Sequence, residues 1–222
     1  MQLNWQDNGV KRVVSALVLA PLSAYCVFFG GIFFMALLAV FAVAALWEWW
    51  RLVRLFTLPS AKIFTVAVLG FALIMACLLS LWWLRLQERG VFLVVFFLLL
   101  IWCTDIGAYV VGRCCKGPKM APRISPGKTW SGAVGGLLSA ILVALLLSEG
   151  MYYSDWALLK AALLISISAQ IGDLMESQAK RWAGVKDSSQ LIPGHGGVLD
   201  RVDGILLAAP MYALYHYWEV LP

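Results

Sequence analysis

The sequence has little charge, and this shortage excludes an ordinary soluble domain. Only 13% of its 222 residues are Asp, Glu, Lys or Arg, whereas 62% are hydrophobic. Soluble domains average about 25% charged and about 45–50% apolar residues. Apolar runs bounded by charges recur at roughly the twenty-residue length that spans a bilayer, and alternating ten-residue strand patterns typical of a barrel are absent. The composition therefore predicts an integral membrane protein built from helices.

Other chemically useful groups are scarce or poorly spaced. The chain has two histidines and five cysteines, and the cysteines show neither a CxxC pair nor a disulfide-framework spacing. The Gly-Lys-Thr run at 127–129 lacks the GxxxxGK[ST] spacing of a P-loop. No inverted repeat of the kind common in transporters is visible. These absences argue against a cysteine metal site, a disulfide scaffold and a P-loop, and they disfavour a transporter.

The apolar runs predict an all-α, polytopic bundle of about seven transmembrane helices, with residues 1–222 forming a single transmembrane domain. Gly30 and Gly31 separate the first two predicted helices. The predicted spans are residues 13–29, 32–53, 63–84, 91–111, 131–148, 157–177 and 200–220.

The basic residues lie almost entirely on one side of these spans. Of the 17 Lys and Arg residues, only Arg85, Arg89 and Lys160 fall on the opposite side. The positive-inside rule therefore places the N-terminus and both long polar loops in the cytoplasm. We expect a multi-pass protein of the cell's inner (cytoplasmic) membrane, with its active site at the cytoplasmic face.

Charge is concentrated in residues 171–204, between the last two spans. This stretch holds five of the 12 acidic residues. One helical face is shared by Asp173, Glu176, Ser177 and Lys180, and another is shared by Asp200 and Asp203. Carboxylate oxygens suit a hard divalent cation, and the cations nearby suit a polyphosphate. A solvated loop whose charges pair with each other is the alternative, but the helical spacing favours a site.

Three features lie upstream of that stretch. Asp105 falls inside an apolar span, where a carboxylate costs roughly 2.5 kcal/mol or more, so we expect it to face a wet cavity or a partner such as a loop arginine. Lys128 and Thr129 precede the fifth helix, where free N–H groups bind anions. Glu48 is expected to pair with Arg51 at i+3.

A run of spaced residues between 177 and 203 matches a known signature. The matching positions are Ser177, Lys180, Arg181, Lys186, Asp187, Ser189, Ile192, Pro193, His195, Gly196, Gly197, Asp200, Arg201 and Asp203. The run resembles the signature of the CDP-diglyceride synthetase family, the phosphatidate cytidylyltransferases. Motifs at 105–113 and 125–132 resemble the same family, so the resemblance covers residues 105–204. The chain departs from the family at Gly127, Ser131 and Ala179, where Lys, Glu and a larger aliphatic residue are usual.

The resemblance implies the reaction CTP + phosphatidic acid → CDP-diacylglycerol + pyrophosphate, a step of phospholipid biosynthesis. It implies Mg²⁺ in a paired-metal centre with a potassium ion, and it matches the metal ligands to Asp173 and Asp200. The expected partners are CTP, phosphatidic acid and membrane lipids, with no nucleic acid. Small residues on the fifth helix, Gly132, Gly135 and Gly136, leave a homodimer open.

The remaining site residues are expected to act on the phosphates. The expected catalytic residues are Lys180, Arg181, Lys186, Asp187, His195, Arg201 and Asp203. The expected substrate-binding residues are Asp105, Ser125, Lys128, Thr129, Ser177, Gly196 and Gly197. In this scheme cations clamp the phosphates while the phosphate of the lipid attacks the α-phosphorus of CTP.

Other functions stay open at this point. A related CTP-dependent lipid enzyme, such as a polyprenol kinase or an archaeal ether-lipid cytidylyltransferase, is the nearest alternative. An anion transporter would explain an intramembrane acid with basic loops, and an inactive scaffold would tolerate loss of Asp200. A kinase would release CDP, whereas a cytidylyltransferase would release pyrophosphate.

Overall fold

A computed structural model describes residues 5–148 and 154–220 of the chain. Within these ranges, seven helices and a two-stranded hairpin follow one another. In chain order they are α1 (Trp5–Phe29), α2 (Gly31–Leu55), α3 (Ser60–Leu86), α4 (Gly90–Cys115), β1 (Lys119–Ala121), β2 (Ser125–Thr129), α5 (Trp130–Ser148), α6 (Asp155–Trp182) and α7 (Leu199–Val220). The predicted all-α bundle is confirmed.

The helices are those of a membrane protein. Among the described residues, the five helices α2 to α6 are long and apolar enough to cross a bilayer, and α1 contains a shorter apolar stretch, Val13–Phe29. The most extensive packing joins α4 to α5 and α6 to α7. The pair α6–α7 carries the acidic faces predicted from sequence, so the fold brings those faces against each other.

Glycines allow α5 to lie directly on α4. A Cβ atom at Gly132 would lie 2.7 Å from Ala108 O, and one at Gly136 would lie 2.7 Å from Thr104 O. Both distances are too short for a side chain, so close backbone contact requires glycine here. These glycines, which left a homodimer open, are therefore buried in a contact inside the chain.

The junction between α1 and α2 uses the predicted glycine break. Gly30 and Gly31 have φ angles of 65° and 51°, a left-handed conformation that glycine adopts without strain. Arg85 donates hydrogen bonds to Val27 O at 2.7 Å and to Phe28 O at 3.0 Å. It thereby satisfies carbonyl groups that the end of α1 leaves unpaired.

Helix α6 is longer than the sequence predicts, and the basic loop after α4 is more ordered. The predicted end at residue 177 is wrong because apolar packing continues: Ala179 is buried, and the ring of Trp182 lies 6.1 Å from that of Phe56. Lys180 and Arg181 are thus helical. In the predicted loop 113–130, β1 pairs antiparallel with β2.

Candidate active site

Lys180 is the centre of the first charged cluster. Its Nζ lies 2.5 Å from Glu176 Oε2, one helical turn earlier, and 2.8 Å from Asp200 Oδ1 on α7. The Lys180 side chain is 12% exposed, and those of Glu176 and Asp200 are 3% and 5% exposed. Buried charges of this kind are stable only when paired. The cluster therefore joins α6 to α7 and holds the first turn of α7.

Asp200 is held on its other oxygen by the loop between α6 and α7. Its Oδ2 accepts hydrogen bonds from Ser188 N at 2.9 Å and from Gly197 N at 2.8 Å, and it lies 3.0 Å from Ser188 Oγ, whose single proton it shares with Glu48. With Lys180 on Oδ1, both oxygens of this carboxylate have partners. Asp200 is therefore a fixed point of the loop as well as a candidate ligand.

Lys128 and Asp173 form a second ion pair, beside the first. Lys128, at the end of β2, places Nζ 2.5 Å from Asp173 Oδ2 on α6, and the two side chains are 25% and 30% exposed. Ser177 Oγ donates to Asp173 Oδ1 at 3.3 Å. The structure thus brings together Lys128, Asp173 and Ser177, which the sequence assigns to one site, and this pair is open to solvent.

Two further acids lie near Asp173 but come from other helices. Asp105 on α4 and Asp203 on α7 are close enough to Asp173 for their charges to interact. Lys128 also acts on Asp105. Asp203 Oδ1 accepts from the backbone N–H of Gly204 at 2.8 Å. Three helices therefore place Asp105, Asp173 and Asp203 within electrostatic range of one another.

Glu48 is a site residue that sequence reasoning missed. It was expected to pair with Arg51, but its side chain points into the protein and is 0% exposed. Its carboxylate accepts hydrogen bonds from Ser188 Oγ at 3.0 Å, Ser189 Oγ at 2.5 Å, Val198 N at 2.9 Å and Leu199 N at 2.8 Å. A carboxylate at the first N–H groups of a helix is favourably placed. Glu48 on α2 thus caps α7 and anchors the loop.

The glycine-rich turn makes room for Glu48. A Cβ atom at Gly197 would clash first with Ser188 Oγ, and it would also lie 2.6 Å from Glu48 Oε1 and 2.8 Å from Oε2, so a side chain there would displace the hydroxyl and the carboxylate. Gly196 has a φ of 90° and pairs with Ile192 in an isolated β-bridge. The backbone of this turn therefore lies directly against the carboxylate of Glu48.

His195 and Arg201 link the charged site to an apolar cavity. The cavity has a volume of about 490 Å³ and is lined by α1, α2, α3, α4 and α7, with His195 and Arg201 among its few polar lining residues. His195 Nδ1 lies 2.8 Å from Ser15 Oγ on α1. The apolar lining of the cavity includes Phe34, Ala45 and Ile74. The cavity is thus chemically suited to a hydrocarbon chain that ends in a polar group.

Among the other predicted site residues, some make structural contacts and others are exposed to solvent. Arg181 on α6 donates a hydrogen bond to Ile124 O at 3.0 Å. Ile124 directly precedes Ser125, the first residue of β2, so this bond joins α6 to the hairpin. Thr129 Oγ1 accepts from Gly132 N at 3.1 Å, which makes Thr129 the N-cap of α5. Lys186, Asp187 and Arg201 are exposed.

The two predicted metal ligands lie in different ion pairs. Lys128 binds Asp173, and Lys180 binds Asp200. Across residues 5–148 and 154–220, no group of three or more His, Cys, Asp and Glu side chains is arranged to hold a metal ion. An ammonium group therefore neutralises each predicted ligand in this structure.

Comparison with known proteins decides the family. Residues 55–218 match the cytidylyltransferase family. The chain belongs to the cytidylyltransferase family. A phosphatidate cytidylyltransferase of Brucella suis is 36% identical over 94% of this chain and 93% of its own. One from Rickettsia felis is 36% identical over 93% and 91%, and one from Haemophilus influenzae is 40% identical over 59% and 47%.

Membership of the cytidylyltransferase family confirms the resemblance seen in the sequence and makes the protein a nucleotidyltransferase. The matched region begins at residue 55, so Ser15 on α1 and Glu48 on α2 lie before it. Both side chains nevertheless contact the loop between α6 and α7. The site of this cytidylyltransferase-family protein is therefore completed by helices that carry none of the sequence motifs.

Proposed function

We propose that the protein is a phosphatidate cytidylyltransferase, which converts CTP and phosphatidic acid to CDP-diacylglycerol and pyrophosphate for phospholipid biosynthesis. The observation that carries this proposal is the position of His195 and Arg201. His195 lies in the charged loop, Arg201 lies in the first turn of α7 next to Asp200, and both line the apolar cavity. One site can therefore meet a nucleotide phosphate and a lipid at once, and the relatives described above bear the name of this activity.

The reaction we propose is an in-line displacement. The phosphate of phosphatidic acid attacks the α-phosphorus of CTP, a new P–O bond forms, and the bond to pyrophosphate breaks. A phosphate monoester has a second pKa near 6, so it is already an anion at neutral pH and needs no strong base. This fits a site that contains carboxylates and cations but no activated Ser or Cys nucleophile.

The protein's cations would bind and orient the phosphates. Lys128, Lys186 and Arg201 combine partial or full exposure with positions around the site, and cations there counter the charge that develops on transferring phosphate oxygens. Lys180 is held between two acids and fixes Asp200. Arg181 and Asp187 would support the hairpin and the loop.

His195 would act at the lipid side of the site. Ser15 Oγ lies 2.8 Å from its Nδ1. If Ser15 donates to Nδ1, the proton resides on Nε2, which could then donate to a phosphate oxygen or to the leaving pyrophosphate. The N–H groups of Gly196 and Gly197 belong to the same turn. The lipid's chains would enter from the bilayer while CTP arrives from the cytoplasm.

Mg²⁺, with K⁺ as a second ion, is proposed as the cofactor. The donors fit a hard cation because Asp173 and Asp200 offer carboxylate oxygens, and each already attracts a lysine. Asp203 and Asp105 would complete the set. When bound, Mg²⁺ would supply charge neutralisation on the phosphate oxygens. Ser177 and Ser188, which contact Asp173 and Asp200, would orient these carboxylates, and the ion would replace the ammonium groups of Lys128 and Lys180 as their counter-charge.

We further propose that the site faces the cytoplasm at the inner membrane. Fourteen of the 17 Lys and Arg residues belong to the side that carries the site, as the positive-inside rule requires. The source of CTP is also cytoplasmic.

Labelling CTP at two positions distinguishes the proposed cytidylyltransferase from a CTP-dependent lipid kinase. The purified protein is incubated in detergent with phosphatidic acid, Mg²⁺ and CTP that is labelled on the α- or the γ-phosphorus. Transfer of the α-label to the lipid fraction, with the γ-label in pyrophosphate, is expected. Transfer of the γ-label to a lipid acceptor would instead identify a kinase.

A further inference from the structure

Ser188 joins two carboxylates from distant parts of the chain. Its Oγ lies 3.0 Å from Glu48 Oε2 on α2 and 3.0 Å from Asp200 Oδ2 on α7, so the two carboxylates share its single hydroxyl proton. The Ser188 side chain is buried, as is that of Glu48. Asp200 is thus connected through one hydroxyl group to an acid more than one hundred residues earlier in the chain.

Glu48 is itself rigidly held. Ser189 Oγ, Val198 N and Leu199 N bind its two oxygens independently of Ser188. Its full burial prevents water from replacing any of these donors, and leaving one unpaired would cost the full desolvation of that group. Ser188 Oγ is therefore fixed relative to α2, and through it so is Asp200 Oδ2.

We propose that Glu48 and Ser188 are positioning residues for cytidylyl transfer, which orient the carboxylate of Asp200 through the Ser188 hydroxyl. The proposal rests on the proposed function. Groups that orient a ligating or catalytic carboxylate change activity by about 10–100-fold when they are removed. A purely structural Glu48 would affect stability but would leave turnover by the folded protein near normal.

Two adjacent serines provide a matched test. Ser188 and Ser189 both donate a hydroxyl hydrogen bond to Glu48, but only Ser188 also reaches Asp200. We expect Ser188→Ala and Ser189→Ala to lower the midpoint of thermal unfolding by similar amounts. Ser188→Ala should lower kcat by about 10–100-fold, whereas Ser189→Ala should lower kcat much less, because Val198 N and Leu199 N still hold Glu48 and Ser188 still links it to Asp200.

A double-mutant cycle tests Glu48 itself. Glu48→Gln replaces one carboxylate oxygen by an NH₂ group, which cannot accept the two hydrogen bonds that this oxygen receives from the loop. If Glu48 acts through Ser188, Glu48→Gln should lower kcat much less in the Ser188→Ala background than alone. If Glu48→Gln does not fold, the comparison of the two serines decides.

The outcomes separate this inference from the proposed function. Equal kcat values for the two serine variants, or additive effects in the cycle, would overturn the positioning role. Absence of pyrophosphate release from the unmodified protein with CTP and phosphatidic acid would instead refute the proposed function on which it rests.

Discussion

Lys180 on α6 lies 2.8 Å from Asp200 on α7 and completes the contact between the two acidic faces. The same ammonium group lies 2.5 Å from Glu176, whose Oε1 has no hydrogen-bond partner in the described part of the chain. Removing Lys180 would therefore leave two buried carboxylates facing each other.

Lys180→Met should destabilise the protein by about 3 kcal/mol or more, because breaking a buried ion pair leaves an uncompensated charge. Denaturant titration in detergent measures the change. Lys180→Met with Glu176→Leu removes both charges of that pair and should recover much of the stability but not the activity. Recovery of activity in the double variant would contradict a functional role for Lys180.

Lys128→Ala should lower kcat/KM by about 100-fold with little loss of stability. The Lys128–Asp173 pair is partly exposed, and such pairs contribute about 0–1 kcal/mol to folding. Lys160→Ala is the matched control. Lys160 makes a comparable 2.9 Å pair with Glu219, but it is one of the three basic residues predicted to lie on the opposite side of the membrane. Equal loss of activity in both variants would argue against a phosphate-binding role for Lys128.

Gly197→Ala should impair both folding and turnover. A Cβ there would clash with Ser188 Oγ and lie 2.6 Å from Glu48 Oε1, and forcing an extra methyl group into a packed site costs about 1–3 kcal/mol. Gly127→Ala is the control, since nothing lies within 4 Å of its Cβ position. Thermal unfolding and pyrophosphate release of both variants measure the difference. A normal Gly197→Ala protein would show that the Glu48 contact is dispensable.

A larger side chain in the cavity should raise the KM for phosphatidic acid but not the KM for CTP. Ala45 is buried and lines the cavity, so Ala45→Phe should raise the KM for phosphatidic acid by about tenfold through overpacking and leave that for CTP near normal. Val43→Phe, on the exposed side of α2 where Val43 is 72% exposed, is the control. An equal rise in the KM for CTP would exclude the cavity as the lipid's binding place.

Much of this architecture could be predicted because apolar length and helical spacing are local properties. The acids on α6 and α7, and the glycine break at Gly30 and Gly31, follow from neighbouring residues alone. The hydrogen-bond partners of Glu48 could not be predicted from its neighbouring residues. Its local sequence offers Arg51 as a partner at i+3, and only the packing of α2 against the loop shows that Val198 N and Leu199 N bind it instead. The sequence did contain one signal, because Glu48 lies among Trp47, Trp49 and Trp50 at the end of a long apolar span.

The end of α6 and the hairpin were missed for similar reasons. A polar run after Ser177 predicts a loop, but the apolar side of that run packs on α2 through Trp182 and Phe56. The cavity was not predicted, because it lies between five helices whose relative positions do not follow from local sequence. Its position explains how one loop can serve a water-soluble and a lipid substrate.

Pyrophosphate release by the purified protein, beside Asp200→Asn, is the most direct test of the central claim. The account predicts release only when CTP, phosphatidic acid and Mg²⁺ are all present, and its loss in Asp200→Asn, while thermal unfolding shows that the variant is folded. Release that needs no lipid, or that is as fast in folded Asp200→Asn as in the unmodified protein, would contradict it.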